Sequence, residues 1–263
     1  MKRTEILIID PQNDFCDPNG SLYIEGAVED CKNIVNFINR NSNKISNIHI
    51  TLDSHPSYHI AHPIFWKDTE GNSPKPFTVI NAKDIQNGTY RPVDKELTSS
   101  VEQYAQELEA KGRYQLTIWP MHCLTATWGA CVQKDIIMAA HEWELSNICK
   151  NILYTFKSDN PLTEHYSAVQ AEVPIPWDES TKINFKLIDS LRKADNIIVV
   201  GEALSHCLAN TINDLLVYLP AKKFTLLTDC TSPVKGFEKD ANKFLQETTS
   251  KGLKTAISTE LKL

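Results

Sequence analysis

Short apolar runs, separated by longer stretches of mixed polarity, set the rhythm of this chain. They predict strands at Glu5–Asp10, Asn47–Leu52, Asn151–Phe156, Asn196–Gly201 and Lys223–Thr228, with a weaker one at Leu253–Ile257. The first five are rich in Ile, Val or Leu and do not alternate in polarity, the pattern of strands buried on both faces of a parallel sheet. Amphipathic segments lie between them at Val28–Arg40, Ala130–Glu144, Phe185–Ala194, His206–Tyr218 and Glu238–Lys251. This alternation predicts an α/β fold, a three-layer α/β/α sandwich with a central, mainly parallel six-stranded sheet.

One stretch breaks the alternation. Residues 65–116 carry Pro74, Pro76, Gly88 and Pro92 and then a polar helix pattern over Leu97–Lys111. That is too long for a plain loop, so it predicts an insertion with its own structure within a single domain spanning 1–263. Asn160–Pro176, with three prolines, predicts a second excursion.

Composition narrows the function classes. A formal net charge of -6, from 27 Lys+Arg against 33 Asp+Glu, argues against a nucleic-acid partner, which would need a basic face. No apolar run approaches the roughly 20 residues that cross a bilayer. Ile6–Ile9 is too short for a signal-peptide core, so a cytoplasmic location is the expectation. The seven cysteines are odd in number and form no CxxC pair. In a reducing compartment Cys16, Cys31, Cys123, Cys131, Cys149 and Cys230 read as small buried apolar residues. Cys207 stands apart.

In doubly wound sheets ligands sit beyond the carboxyl ends of the strands. The first predicted strand ends in Asp10, the second leads to Asp53-Ser54-His55, and the third to Lys157. The fourth leads to Gly201-Glu202-Ala203-Leu204-Ser205-His206-Cys207. Core packing gives no reason for an acid, an Asp/His pair, a lysine and a thiol to collect at one edge. Cys207 would open a helix, whose amides and dipole would lower its pKa and could form an oxyanion hole. A buried structural cysteine is the alternative. Asp10 could accept the thiol proton and return it to a leaving amine, or simply cap a turn. Lys157 could hold that carboxylate, or be a surface lysine. Asp53 and His55, an i, i+2 carboxylate and imidazole, suit Zn, Fe or Mn in an N/O site, with His59 and His62 close behind and His122 much later; His62 could reach the metal region but reads as a polar-loop histidine. Within Trp119-Pro120-Met121-His122-Cys123, the tryptophan could be core or could stack on a planar substrate. His62, His141, His165 and His206 receive no catalytic role, and Trp128 and Trp143 read as packing residues.

Taken together, these segments resemble the nicotinamidase branch of the isochorismatase-like cysteine hydrolases. Ile9-Asp10-Pro11-Gln12-Asn13-Asp14-Phe15 resembles that family's DxQxDF opening. Asp53-Ser54-His55-Pro56 with His59 resembles its DxHPxxH segment, and Trp119–Cys123 its WPxHC segment. Phe156-Lys157 matches the strand-end lysine, and Gly201–Cys207 the GxAxxxC nucleophile segment. The segments occur in family order and span nearly everything but the insertion.

The resemblance implies the isochorismatase-like hydrolase fold and a catalytic triad of Asp10, Lys157 and Cys207. It implies one divalent metal ion (Zn, Fe or Mn) on Asp53, His55 and His122, with His59 a further ligand in some members. Phe15 and Trp119 would sandwich a pyridine ring. A cis peptide would join Glu202 to Ala203, whose amide would form an oxyanion hole with that of Cys207. The implied activity is hydrolysis of nicotinamide to nicotinate and ammonia through a thioester, in pyridine nucleotide salvage, by a homo-oligomer. The metal would position substrate rather than generate the nucleophile.

This chain departs from the pattern in the long stretch before Trp119, in Leu124-Thr125 where a Gly-Thr step is usual, and in Glu202 and His206 beside the nucleophile. These departures bear on the substrate more than on the reaction. A related amidase for another small carboxamide or ureido substrate shares the same triad. Vinyl ether hydrolysis would need neither thiol nor metal. An inactive binding domain would have no chemical reason to keep an acid, a lysine and a thiol together.

Overall fold

The computed structural model describes residues 2–112 and 114–263. In chain order the elements are β1 (Thr4–Ile9), α1 (Asn13–Cys16), α2 (Ala27–Asn41), β2 (Ile45–Asp53), β3 (Trp66–Asp68), β4 (Val79–Ile80), α3 (Ala82–Gln86), β5 (Tyr90–Pro92) and α4 (Thr98–Lys111). They continue with β6 (Leu116–Thr117), α5 (Lys134–Ser146), β7 (Leu153–Lys157), α6 (Phe185–Arg192), β8 (Asn196–Gly201), α7 (Cys207–Tyr218), β9 (Phe224–Leu227), α8 (Glu238–Ser250) and β10 (Lys254–Ala256). Among the described residues no helix is long and apolar enough to cross a membrane.

Six strands form one sheet in the order β10-β9-β8-β1-β2-β7, and every pairing in it is parallel. β1 lies near its middle, with Ile6 to Ile9 wholly buried, which is why that run is continuous rather than alternating. α2 packs with α5, and α7 with α8. The chain winds outward from β1 in one direction and from β8 in the other. Right-handed crossovers therefore place the two helix pairs on opposite faces. The order reverses between β1 and β8, and the crevice at their carboxyl ends is where a doubly wound sheet takes ligands.

Three expectations need correction. β7 is not buried on both faces: it is the sheet edge, and Leu153, Tyr154 and Phe156 are exposed, the last by 67%. Only its final residue, Lys157, turns into the protein. Cys131 and Cys149 are exposed, not buried, and so is Trp128, whereas Trp143 does pack in the core. The helix expected from Ala130 begins at Lys134, capped by the Gln133 side chain. Val132 instead bridges to Gln12, which leaves residues 130–133 free to brace the first loop.

Between β2 and α5 the chain builds a second hydrophobic cluster around Phe65, Trp66, Ile80, Tyr104 and Leu108. α4 contributes Val101, Tyr104, Ala105 and Leu108, an i, i+3, i+4, i+7 stripe. β3 pairs antiparallel with β5, and β4 with β6. β6 feeds directly into Trp119, whose amide is held by the Ala61 carbonyl at 2.8 Å. The segment thus ends against the carboxyl edge of the main sheet.

Gly201 closes β8 at φ +107, and a Cβ there would lie 2.1 Å from the Ile9 carbonyl oxygen and 2.6 Å from the Ile9 nitrogen. Both obstacles are backbone of the central strand. Gly201→Ala should therefore cost roughly 2–4 kcal/mol. Urea unfolding checks this; an unchanged midpoint would refute the crowding.

Candidate active site

The loop after β1 is fastened by its own polar side chains. The Gln12 amide donates to the Asp53 carbonyl (2.7 Å) and the Ala130 carbonyl (2.9 Å), while its oxygen accepts the Asp53 N–H at 2.7 Å. The Asp14 carboxylate accepts the amides of Ser21 (2.9 Å) and Cys123 (2.6 Å). Gly129 packs so close that any Cβ would strike that carboxylate. These bonds tie together the ends of β1 and β2 and the Trp119–Val132 segment.

Asp10 lies at the floor of the crevice, wholly buried, at φ +41. Thr51 of β2 donates its hydroxyl to Asp10 Oδ1 at 2.5 Å and accepts the Asp10 N–H at 3.0 Å. The Lys157 Nζ lies 3.0 Å from Asp10 Oδ2, 2.8 Å from Asp53 Oδ1 and 3.6 Å from the Cys207 sulfur. The Cys207 thiol is itself a hydrogen-bond neighbour of the Asp10 carboxyl. Two strand ends and one helix start thus bring Asp10, Lys157 and Cys207 together, as their positions along the chain predict. Lys157 is no surface lysine.

Burial and charge compete here. Burial alone would depress the Lys157 ammonium, but Asp10 and Asp53 outweigh it and hold the group well above its ordinary pKa. Burial would likewise raise Asp53, yet Lys157 with His55 and His122 keeps it well below the usual range. Asp10 goes the other way: burial raises it, Lys157 offsets only part, and Asp53 raises it further. Cys207 is pushed well above 9.0 by burial; Lys157 pulls it down, but Asp10 pushes against that pull. A thiolate favoured by the helix terminus is therefore the wrong resting state. Desolvation with Asp10 and Asp53 outweighs the pull of Lys157, which favours a neutral thiol with a carboxylate beside it to take its proton.

Beside this cluster Asp53 Oδ2 lies 3.2 Å from His55 Nε2 and 3.4 Å from His122 Nε2. His122 Nδ1 faces the Pro120 carbonyl at 2.7 Å. A carbonyl only accepts, so Nδ1 carries a proton, and Nε2, which faces Asp53, is the nitrogen turned toward the cluster. A buried carboxylate and two imidazoles converging on one point fit a divalent cation. His59 does not fit. Its Nδ1 accepts the Ala61 N–H and its Nε2 sits on the Thr163 carbonyl, each at 3.2 Å, so backbone occupies both nitrogens. His62, expected in a polar loop, is instead wholly buried against the rings of His55 and His122.

Above the thiol is a cavity walled by Phe15, Trp119, Tyr166, His206 and Ala203, with Asp53, His122 and Glu164 also lining it. The Trp119 indole donates to the Tyr166 hydroxyl at 2.9 Å, which orients the ring. Glu164 and Tyr166 escaped the sequence reading because they lie in the irregular excursion after β7, where no periodicity marks them. The one available signal was that the excursion begins directly at Lys157. His206, to which the sequence assigns no role, packs its ring against Tyr114, Trp119 and Phe237 at the cavity wall. His165 is buried with Nδ1 on the Ser158 N–H, and burial draws it down to about 3. The Glu202–Ala203 peptide is cis. Among the described residues neither the Ala203 nor the Cys207 N–H is taken by a protein acceptor.

The chain matches no family model. It is 25% identical over 243 residues to the nicotinamidase of Saccharomyces cerevisiae, covering 92% of this chain and 94% of the relative. The structure of the yeast nicotinamidase superposes with a TM-score of 0.66 at 20% identity, over 96% of this chain and 99% of that one. A nicotinamidase/pyrazinamidase structure from Acinetobacter baumanii superposes at 0.65 and 21% identity, over 100% and 99%. The pyrazinamidase of Pyrococcus horikoshii, solved with zinc, superposes at 0.57 and 20% identity, over 97% and 99%. The chain thus resembles nicotinamidases in sequence and shares the fold of these solved structures. The six-stranded all-parallel sheet flanked by helices is the fold that these structures and the present chain have in common.

The neutral thiol makes a measurable difference. Alkylation of Cys207 by iodoacetamide, followed by peptide mass spectrometry to separate it from exposed Cys131 and Cys149, should still be climbing steeply at pH 9.0. A plateau reached below pH 8 would show a stabilised thiolate instead.

Proposed function

We propose that this hydrolase cleaves the carboxamide of nicotinamide to nicotinate and ammonia, with Cys207 as nucleophile. The observation that carries the reading is the convergence of Asp10, Lys157 and Cys207 beneath an aromatic-walled cavity. A flat pyridine ring fits between Phe15 and Trp119, with its carboxamide carbon over the sulfur. Asp10 takes the thiol proton as sulfur attacks, an acid–base step worth typically 10²–10⁴-fold. Its raised pKa suits it to hold that proton. The amides of Ala203 and Cys207 receive the developing oxyanion. The C–N bond then breaks, Asp10 delivers the proton to the departing ammonia, and a thioester to Cys207 remains. Water attacks the thioester with Asp10 as base, releasing the carboxylic acid and restoring the thiol. Lys157 stays protonated throughout and holds Asp10 and Asp53 in place.

Asp53, His55 and His122 would hold a divalent metal ion, with zinc, iron and manganese all compatible with the donors. Such an ion supplies positive charge that orients an aromatic nitrogen, directly or through its waters. The nucleophile is the protein's own thiol.

Ammonia release from nicotinamide should fall at least about 10³-fold in Cys207→Ala, and by a comparable factor in Asp10→Asn, with both variants folded by circular dichroism. Activity that survived Cys207→Ala would remove the nucleophile from the mechanism. Trp119→Ala should raise KM more than it lowers kcat; the reverse split would place Trp119 outside the substrate wall.

A further inference from the structure

Metal-binding proteins usually advertise their ligands by spacing, and here spacing points to His59, six residues after Asp53. The tertiary structure points elsewhere. His59 spends both nitrogens on backbone. His62 is equally buried, yet neither of its ring nitrogens has a hydrogen-bond partner. The Ser57 backbone approaches the ring without hydrogen-bond geometry, beside the rings of His55 and His122. Buried polar atoms nearly always find a partner, so an orphaned imidazole calls for an explanation.

Its neighbours supply one. Donor atoms of His55, His62 and His122 all lie within 4.8 Å of one another. Nitrogens bound to one zinc at about 2.1 Å sit at most about 4.2 Å apart, so small ring rotations bring all three onto a single ion. This triplet shares the His55–His122 pair with the Asp53 oxygen. The backbone presents the ring deliberately. His62 is extended, at φ -108 and ψ 148, the conformation that the following Pro63 favours. Its N–H is held by the His59 carbonyl at 2.9 Å, and its carbonyl accepts the Phe65 N–H at 3.2 Å.

We propose that His62 is a fourth protein ligand of the metal centre, giving a set of three imidazoles and one carboxylate. The proposal rests on the reading that Asp53, His55 and His122 hold a divalent cation. A set this rich in nitrogen selects zinc, iron or cobalt over magnesium or calcium, and it leaves fewer coordination positions for substrate or water.

The test uses the full-length protein, stripped with a chelator and titrated with Zn²⁺ against a competing indicator, then with Co²⁺ followed by its visible absorption. His62→Phe fills the same space without a donor, and His62→Asn guards against misfolding of the first variant; circular dichroism checks both. Zn²⁺ affinity should fall at least tenfold, and the Co²⁺ bands should shift in position and intensity. Affinity within twofold of the parent with unchanged Co²⁺ bands would overturn the role of His62 alone. A parent protein that binds no Zn²⁺ would sink the metal reading and this proposal together. Metal binding that depends on His62, in a protein inert towards nicotinamide, would leave the proposal standing and remove only the substrate assignment.

Discussion

One buried ammonium organises this protein. Lys157 lies 1% exposed between Asp10 and Asp53, and removing water from those three charges is costly unless each is paired. The pairing closes only when the ends of β1, β2 and β7 are in register. The same contact links both halves of the site. Asp10 leads to the thiol, and Asp53 leads to the histidines. Replacing the lysine by an apolar residue would leave two carboxylates facing each other in a dry interior, where both cannot remain ionised.

The surrounding framework holds that contact still. Gln12 and Asp14 occupy the first loop as fasteners rather than as reagents, and each bonds backbone that belongs to a distant segment. Buried hydrogen bonds of this kind are costly to leave unmade, which makes them specific for one arrangement. The second hydrophobic cluster adds a wall. By packing Tyr104 and Leu108 of α4 against Phe65 and Trp66, it steadies the stretch that runs into Trp119 and the stretch that carries His62.

Dryness also sets the chemistry. Burial that strengthens the Lys157 ion pairs also raises the Cys207 thiol, and the pull of the Lys157 charge on that thiol does not cancel it. The protein resolves the conflict by placing a carboxylate of raised pKa against the thiol. The proton then moves a short distance within the site as the nucleophile is used, with no free anion at rest.

Much of this was legible in the chain. Continuous apolar runs located the strands, and strand ends in a doubly wound sheet are where chemistry collects, so Asp10, Asp53, Lys157 and Cys207 were readable from position and residue type. What periodicity does not reach was not readable. Glu164 and Tyr166 come from an irregular excursion, and the exposure of β7 follows from its place at the sheet edge, which no local pattern records. His59 and His62 differ by three positions in a loop, and only the backbone partners around them decide which imidazole is spent and which is free. The protonation state of Cys207 is likewise a tertiary quantity. Sequence named the groups and roughly where each strand delivers them; the fold decided how much water remains around them, and in a low-dielectric site that decides the charge each one carries.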